Sequence, residues 1–398
     1  MNVLFLGYAI SKEEAEYNTA VSPVGNNMQL GMLTELRRML MDDLEIHTFY
    51  PVRPFPRSMR LFIRSAEIHL DEETPTKLLP FINVAVLKHV CIMVSAMYRL
   101  LCHAIHYRKS PTIIITYHVS VFFTVPAIVV SKLFGTRIIC LISDSPIDPI
   151  PRNNIILDFL RKMSNRMRLR LIRKYHGYLT INEYVIDSLK IDKPYIQVYV
   201  GADLTVSGKS IRVLDKSRPV KIAYTGALES HYLIEELIDA VKLLGPNFEL
   251  NLYGKGTLVG VVLNQLAPNI KYHGVVPNEE IRKIQADSDI LVCLLSKDSY
   301  LGKYAFPGKI FEYLHSGTPV ISCNTPSIPQ ALRPFLNFVD IETKEGISMV
   351  IRGITRSEKE YDKAINKAQM GRNYVLERCN WKIQTQNIHS FLTKFVDY

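Results

Sequence analysis

At 398 residues the chain exceeds what one ordinary hydrophobic core serves, and two domains are expected. Apolar residues make up 47% and charged ones 22%, which excludes a disordered chain, and the net charge of +10 asks for an anionic partner: nucleotide, nucleic acid or membrane surface. Six scattered cysteines (Cys91, Cys102, Cys140, Cys293, Cys323, Cys379) lack metal-ligand pair spacing and fit a reducing, cytoplasmic compartment better than a disulfide scaffold.

The N-terminal MNVLFLGYAI has no basic n-region and runs straight into a strand at 3–6, so no signal peptide is expected. Further strand-like runs fall at 45–50, 112–116, 137–142, 177–180 and 196–200, with helices at 28–41, 123–134, 155–175 and 183–189 between them. The most apolar long segment, 81–101, is interrupted by Lys88, His89 and Arg99. It reads as a core helix that could touch lipid, not as a transmembrane span. The polar stretch 203–219, with Gly208 and Pro219, marks the expected domain boundary. Beyond it come strands at 220–225, 249–253, 270–273, 290–294 and 319–322, and helices at 232–244, 258–266, 278–286, 307–315 and 357–379. The last segment, 380–398, holds the only tryptophan, Trp381, and reads as an amphipathic helix packing back on the first domain. Strands alternating with helices predict α/β architecture: two doubly wound parallel-sheet domains, 1–205 and 206–379.

In such sheets ligands bind at the carboxyl ends of the strands. The loop YGKGT, 253–257, has two glycines after a strand. Its amides could cradle a phosphate with Lys255 adding charge, or the glycines could serve a tight turn, and the two readings stand level. AFPGKIFEYLHSGTPVIS, 305–322, is more informative. Pro307 and Gly308 suit a helix start, where a cation such as Lys309 opposes the helix dipole unless a bound phosphate lies between them. Glu312, one turn on, could accept two hydrogen bonds from a ribose diol. Gly317 and Pro319 then end the helix. The plainer alternative is a surface Lys–Glu pair.

That stretch resembles the nucleotide-sugar-binding motif of GT-B-fold glycosyltransferases, in the large retaining group 1 family that includes sucrose synthases and mannosyltransferases. The usual form there is Pro-x-Lys-x-x-Glu-Tyr-Leu-x-x-Gly-x-Pro-Val-Ile. NLYGKG and NIKYHGVVPNEEIRKIQADSDILVCLLS are similar to the same family's glycine loop, base-binding loop and following helix and strand. YIQVYVGAD resembles the segment that ends the first domain, with Val200 in the place of an asparagine. The resemblance implies a GT-B fold, two Rossmann-like domains facing across a cleft. It implies Glu312 on the ribose hydroxyls, Lys309 and Gly308 near the donor phosphates or sugar, and backbone of Val275 and Val276 on the base. Gly226 and Gly254 would permit close approach, and Gly25 with Asn26, in SPVGNN, would lie near the phosphates; a plain helix N-cap explains that last loop as well. Two departures stand out. Tyr304 occupies a position where the family often has a second, sugar-contacting glutamate. TGALESHYLI, after the domain's first strand, lacks the usual Arg and Lys and offers only His231, which leaves Lys303, Lys309 or Lys255 to compensate.

His118, Asp144 and Glu183 sit at strand ends and are candidates to take the acceptor's proton. Asp144, where relatives commonly have a histidine, serves equally well as a turn cap, and in a retaining reaction the leaving phosphate can itself take the proton. The expected catalytic set is Asp144, His118 and Lys309. The segment 161–174, RKMSNRMRLRLIRK, carries seven bases and no acid. Lys162, Arg166, Arg170 and Arg173 gather beside a stripe of Met163, Met167, Leu171 and Tyr175, which suits an anionic membrane surface; a solvated face over a packed stripe is the alternative. Nucleic acid is not expected, because no stacking aromatics are interleaved.

The expectation is therefore a retaining, metal-independent glycosyltransferase without a cofactor beyond its nucleotide-sugar donor, whose base is open. Its acceptor would be a glycan or lipid-linked glycan in cell-surface polysaccharide biosynthesis, with the protein cytoplasmic or peripheral on the inner face of the membrane. The alternatives are a catalytically silent relative that binds or assembles, and a sugar-nucleotide epimerase on the same fold.

Overall fold

The computed structural model describes residues 1–143, 145–199 and 214–396. Val200, Asp144 and most of the expected boundary at 203–219 lie outside the described residues. The chain forms two compact units, Met1–Gly201 with Trp381–Tyr398, and Ala202–Asn380.

The first unit is built on an eight-stranded sheet in the order Tyr195–Gln197, Gly177–Thr180, Arg137–Ile142, Thr112–Tyr117, Asn2–Gly7, Leu44–Thr48, Pro75–Leu78, Ala66–His69. All neighbours are parallel except the last pair. The central strands NVLFLG, TIIITY and RIICLI are buried almost throughout, as strands covered on both faces must be. Winding reverses between Asn2–Gly7 and Thr112–Tyr117. Right-handed crossovers then put Pro23–Leu40 on one face and Ala85–His106, Val121–Phe134 and Ile155–Ile172, packed in that sequence, on the other.

The C-terminal helix Trp381–Thr393 belongs to this unit and lies on Pro23–Leu40. Its tryptophan covers Gly31 so closely that a Cβ there would stand 2.0 Å from the indole Nε1. Gln384 brackets Tyr199, with its Nε2 donating to Tyr199 O at 3.0 Å and its Oε1 accepting from Tyr199 N.

The second unit is a six-stranded, all-parallel sheet in the order Ile270–Tyr272, Phe248–Tyr253, Val220–Thr225, Ile290–Cys293, Val320–Cys323, Asn337–Val339. Its switch point falls between Val220–Thr225 and Ile290–Cys293, where the Rossmann rule places a ligand.

The structure differs from the sequence reading in several places. The helix expected at 307–315 is Lys309–Ser316, two residues later at its start because Pro307 and Gly308 precede it. Segment 81–101 is a two-residue strand, Phe81–Ile82, followed by Ala85–His106, and it is not a core helix. That helix is long and apolar enough to cross a membrane, but here it is the crossover into strand Thr112–Tyr117. It buries only Ile92, Ala96, Leu100, His103 and Ala104, and leaves Val86 80% exposed. The short strands Ala66–His69, Pro75–Leu78 and Asn337–Val339 carried too little pattern to be read, and the helix Lys344–Thr355 was not read although Ile347, Ile351 and Ile354 line its buried face at helical spacing.

Gly31→Val should displace the indole and cost about 1–3 kcal/mol, the usual range for overpacking a filled site. Urea unfolding followed by the emission of the single tryptophan tests this. An unchanged midpoint and emission maximum would show that the terminal helix does not rest there.

Candidate functional site

The candidate site grows from the carboxyl end of Val220–Thr225 in the second unit. Thr225 is held from two sides: its N–H donates to Tyr313 Oη at 2.9 Å, and its Oγ1 accepts from Gln285 Nε2 at 3.1 Å. Tyr313 and Gln285 are themselves buried, so strand end and helix Lys309–Ser316 are locked in register. Gly226 follows at φ +151°, with its N–H donating to Tyr253 O at 2.8 Å. Gly254, at φ +130°, donates to Gly274 O at 2.7 Å. A Cβ on Gly254 would stand 1.8 Å from Gly226 O, and one on Gly226 would stand 1.2 Å from Lys309 Nζ. Three loops thus close on one another at a density only glycine permits.

Lys309 opens its helix, with Gly308 as the cap residue and no side chain capping the amides. Its ammonium lies over the ring of Tyr224 at 4.7 Å and of Tyr232 at 4.9 Å, and donates to Tyr224 Oη at 3.4 Å. Among the described residues no carboxylate stands within ion-pair distance of it. Burial lowers its pKa, opposed by Cys293 and by Glu312 one turn along. A cation at a helix start, half-buried and unneutralised, is a place that favours an anion. Glu312 is open to water, yet enough protein surrounds it that desolvation raises its carboxyl pKa, against Gln285, Lys309 and Arg282, which lower it. His231, in the loop that lacks the usual Arg and Lys, has its pKa lowered by burial and also by Lys309.

Of the three lysines proposed to compensate, Lys309 is the one brought to Gly226; Lys255 and Lys303 are exposed. Tyr304 ends the short helix Tyr300–Tyr304, its ring 4.8 Å from that of Tyr300. Val275 is exposed and Val276 half-buried, in the loop whose Gly274 carbonyl is tied to Gly254. Tyr224, Tyr232, Tyr313 and Gln285 were not singled out from sequence. Their role comes from placement around Lys309 and Thr225, which no local pattern announces.

The first unit holds the remaining candidates. His118 sits at φ +59° with its N–H on Leu141 O, and its Nε2 is 2.7 Å from Ser143 Oγ. Gly25 is in the first turn of Pro23–Leu40, where a Cβ would come 2.6 Å from Tyr117 Oη. Asn26 does not reach for a ligand. It is buried and brackets Ile10, accepting from its N–H at 3.1 Å and donating to its carbonyl at 3.0 Å, which fixes the loop after the first strand. Glu183 lies in the first turn of Glu183–Ser188, its pKa raised by burial and then by Asp187. Asp144 is outside the described residues.

Residues 219–349 match the family model of glycosyl transferases group 1. No curated protein matches the chain. In three dimensions it is similar to Alr3699/HepE from Anabaena in complex with UDP, at 13% identity, covering 99% of this chain and 100% of that one with a TM-score of 0.66. Sucrose-phosphate synthase from Thermosynechococcus elongatus matches at 13% identity over 99% of both chains, TM-score 0.66. The lipopolysaccharide outer core galactosyltransferase WaaB matches at 15% identity over 99% of both, TM-score 0.66. The fold is accordingly that of the GT-B glycosyltransferases, with two Rossmann-like units.

Gly226→Ala should lower stability by about 1–3 kcal/mol, since it combines a disfavoured φ with displacement of Lys309. Gly260→Ala, where nothing lies within 4 Å, is the control. Equal urea midpoints for the two variants would refute the close packing described.

Proposed function

We propose that this chain, whose second unit matches the glycosyl transferases group 1 model, moves a sugar from a nucleotide-sugar donor to a glycan acceptor. The observation that carries the proposal is the unneutralised, half-buried ammonium of Lys309 against the Gly226 loop, with Glu312 one turn along. A donor diphosphate laid over Gly226 and Gly254 meets that charge at close range. The ribose diol then reaches the Glu312 carboxylate, and the base meets the backbone of Val275 and Val276. As the bond from sugar to diphosphate breaks, negative charge grows on the leaving oxygen, and a fixed cation in a poorly solvated recess stabilises it without reorganising. Positive charge supplied by the protein is what a metal-independent transfer requires, and the group 1 resemblance favours retention of configuration. In that chemistry the leaving phosphate can accept the acceptor's proton. Tyr304 stands where relatives often place a glutamate on the sugar, and we assign donor-sugar preference to it.

A uridine nucleotide is the first probe, because HepE was solved with UDP. Lys309→Met should weaken UDP binding about tenfold to a hundredfold and leave uridine unaffected, the range expected for a hydrogen bond to a charged group. Glu312→Gln should weaken both. Glu312 accepts on both oxygens only when ionised, and its pKa is raised by desolvation, so affinity should fall on acidification at a higher pH than an ordinary glutamate near 4.3 would give. The Gln variant should lose that acid limb. Calorimetric titration at several pH values checks all three, and unchanged affinity in both variants would remove the site. A chain that binds UDP tightly and transfers no sugar would favour the silent-relative reading.

We further propose that the first unit docks on an anionic bilayer, which suits a lipid-linked acceptor and a cytoplasmic, peripheral location. Helix Ile155–Ile172 is attached through polar groups: Arg161 Nη1 and Asn165 Nδ2 donate to Asp148 O at 2.7 and 2.8 Å, and Arg168 donates to Pro146 O at 3.2 Å. Its apolar residues face outward, with Ile155 88% and Phe159 62% exposed. Lys162, Arg166 and Arg170 are exposed among them. Of the stripe read from sequence, Met163 and Met167 are exposed while Leu171 is half-buried and Tyr175 buried, and exposed Leu133, Val94 and Tyr98 on the neighbouring helices add to the apolar surface. Bases beside exposed apolar side chains are complementary to an anionic lipid surface. Vesicles containing phosphatidylserine should sediment the protein at low salt and less so at high salt, and Phe159→Asp should reduce capture severalfold. Equal capture by neutral vesicles, or none at all, would overturn the assignment.

A further inference from the structure

The loops that follow strands Asn2–Gly7 and Leu44–Thr48 enclose a recess of about 480 Å³ at the carboxyl edge of the first unit's sheet. Its wall carries Arg53, Arg57 and Arg60, with Tyr17 and Tyr50, against one acid, Glu14. None of the three guanidinium groups is in an ion pair among the described residues, although all three are exposed and free to find one.

The loop that presents them is fixed. Asn83, fully buried, donates from Nδ2 to Arg53 O at 2.9 Å and to Arg60 O at 2.8 Å, and its own carbonyl accepts from Phe55 N at 2.9 Å. Lys88 Nζ donates to Val52 O at 2.5 Å, and Asn18 Nδ2 donates to Pro51 O at 2.8 Å, which ties the two loops together. Two prolines, Pro54 and Pro56, remove further freedom. Arg60 lies over the Tyr50 ring at 5.2 Å, which orients its plane. A merely solvated charged face needs none of this anchoring. The buried Asn83 holds the backbone at positions 53 and 60 through its side chain and at 55 through its carbonyl, the half-buried Asn18 and Lys88 hold 51 and 52, and what they hold in place is three cations outside any ion pair among the described residues.

We infer that this recess binds a phosphoryl or carboxylate group carried by the sugar acceptor. Planar guanidinium forks match the paired oxygens of either group, and a fixed loop reduces the ordering cost of using several at once. Tyr17, 87% exposed on the same wall, offers a flat apolar face to a sugar ring beside that anion. Calling the ligand the acceptor rests on the glycosyltransferase reading; the anion site itself does not.

The test uses the full chain with saturating UDP present, so that phosphorylated probes do not enter the donor site. Glucose 1-phosphate, digalacturonate and neutral maltose are titrated by calorimetry into the parent and into the triple variant Arg53→Ala, Arg57→Ala, Arg60→Ala. At least one anionic sugar should bind the parent at least tenfold more tightly than maltose does, and the variant should lose that advantage with its melting temperature unchanged. Preference for the phosphate identifies a phosphoryl-bearing acceptor, and preference for the uronate an acidic glycan. Equal binding of charged and neutral probes, or an anion affinity the triple variant keeps, would overturn the inference. UDP affinity, measured separately, should be the same in both proteins. Loss of UDP binding from the parent would count against the donor site and leave the anion result to be read by itself.

Discussion

The second unit's candidate site is organised around one constraint, a half-buried lysine side chain at the start of a helix. Lys309 has aromatic faces on two sides and a backbone wall at Gly226, and among the described residues no carboxylate within ion-pair distance. Burial works against its charge, and the helix dipole it faces works against it again. The ring faces of Tyr224 and Tyr232 offset part of that cost by cation–π attraction. The remainder is a cost that a nearby anion would relieve, which is why the proposed donor site centres on this residue. The two glycines follow from the same constraint. Any side chain at Gly226 would expel the ammonium, and any at Gly254 would expel Gly226.

Placement of that charge depends on groups that touch no ligand. Ile310, Phe311 and Leu314 bury one face of Lys309–Ser316, and Gly317 closes the helix at φ +70°. Tyr313, on the same helix, reaches the backbone of Thr225, one residue before Gly226. Strand end, glycine and lysine are thereby held in one frame, with Gln285 joining Thr225 on one side and acting on Glu312 on the other. Rigid elements carrying the polar groups, with a buried network behind them, are what a site needs to keep sub-ångström geometry.

How much of this was legible varied with how local the signal was. Strands such as TIIITY and RIICLI announce themselves, because burial on both faces leaves an unbroken apolar run. The Lys309–Glu312 spacing was visible because both lie on one turn of one helix. The tyrosines around Lys309 were not, since Tyr224 and Tyr232 are brought to it only by the crossover topology. Asn26 shows the opposite failure: a polar residue beside glycine in a ligand-side loop was offered as a contact, and it brackets Ile10 instead. The helices of the first unit misled for a third reason. Periodicity tells which residues share a face but not which face is covered. Ala85–His106 therefore read as core, and for Ile155–Ile172 a lipid-facing and a packed methionine stripe stood level.

Three groups of cations contribute to the net charge of +10, one half-buried lysine and two exposed sets that differ in what surrounds them. Where the cation is buried, a single lysine serves, because a compact ammonium fits between two rings and one poorly solvated charge has a strong field. Where the cations are open to water, each is screened and worth little alone. The recess at Arg53, Arg57 and Arg60 meets that weakness with number, with planar forks and with a loop pinned by Asn83. On Ile155–Ile172 the bases are exposed as well, but the apolar residues between them supply the attraction that charge in water cannot. Burial sets the lysine apart from the other two groups, and those two differ in that one sits on a pinned loop and the other among exposed apolar side chains.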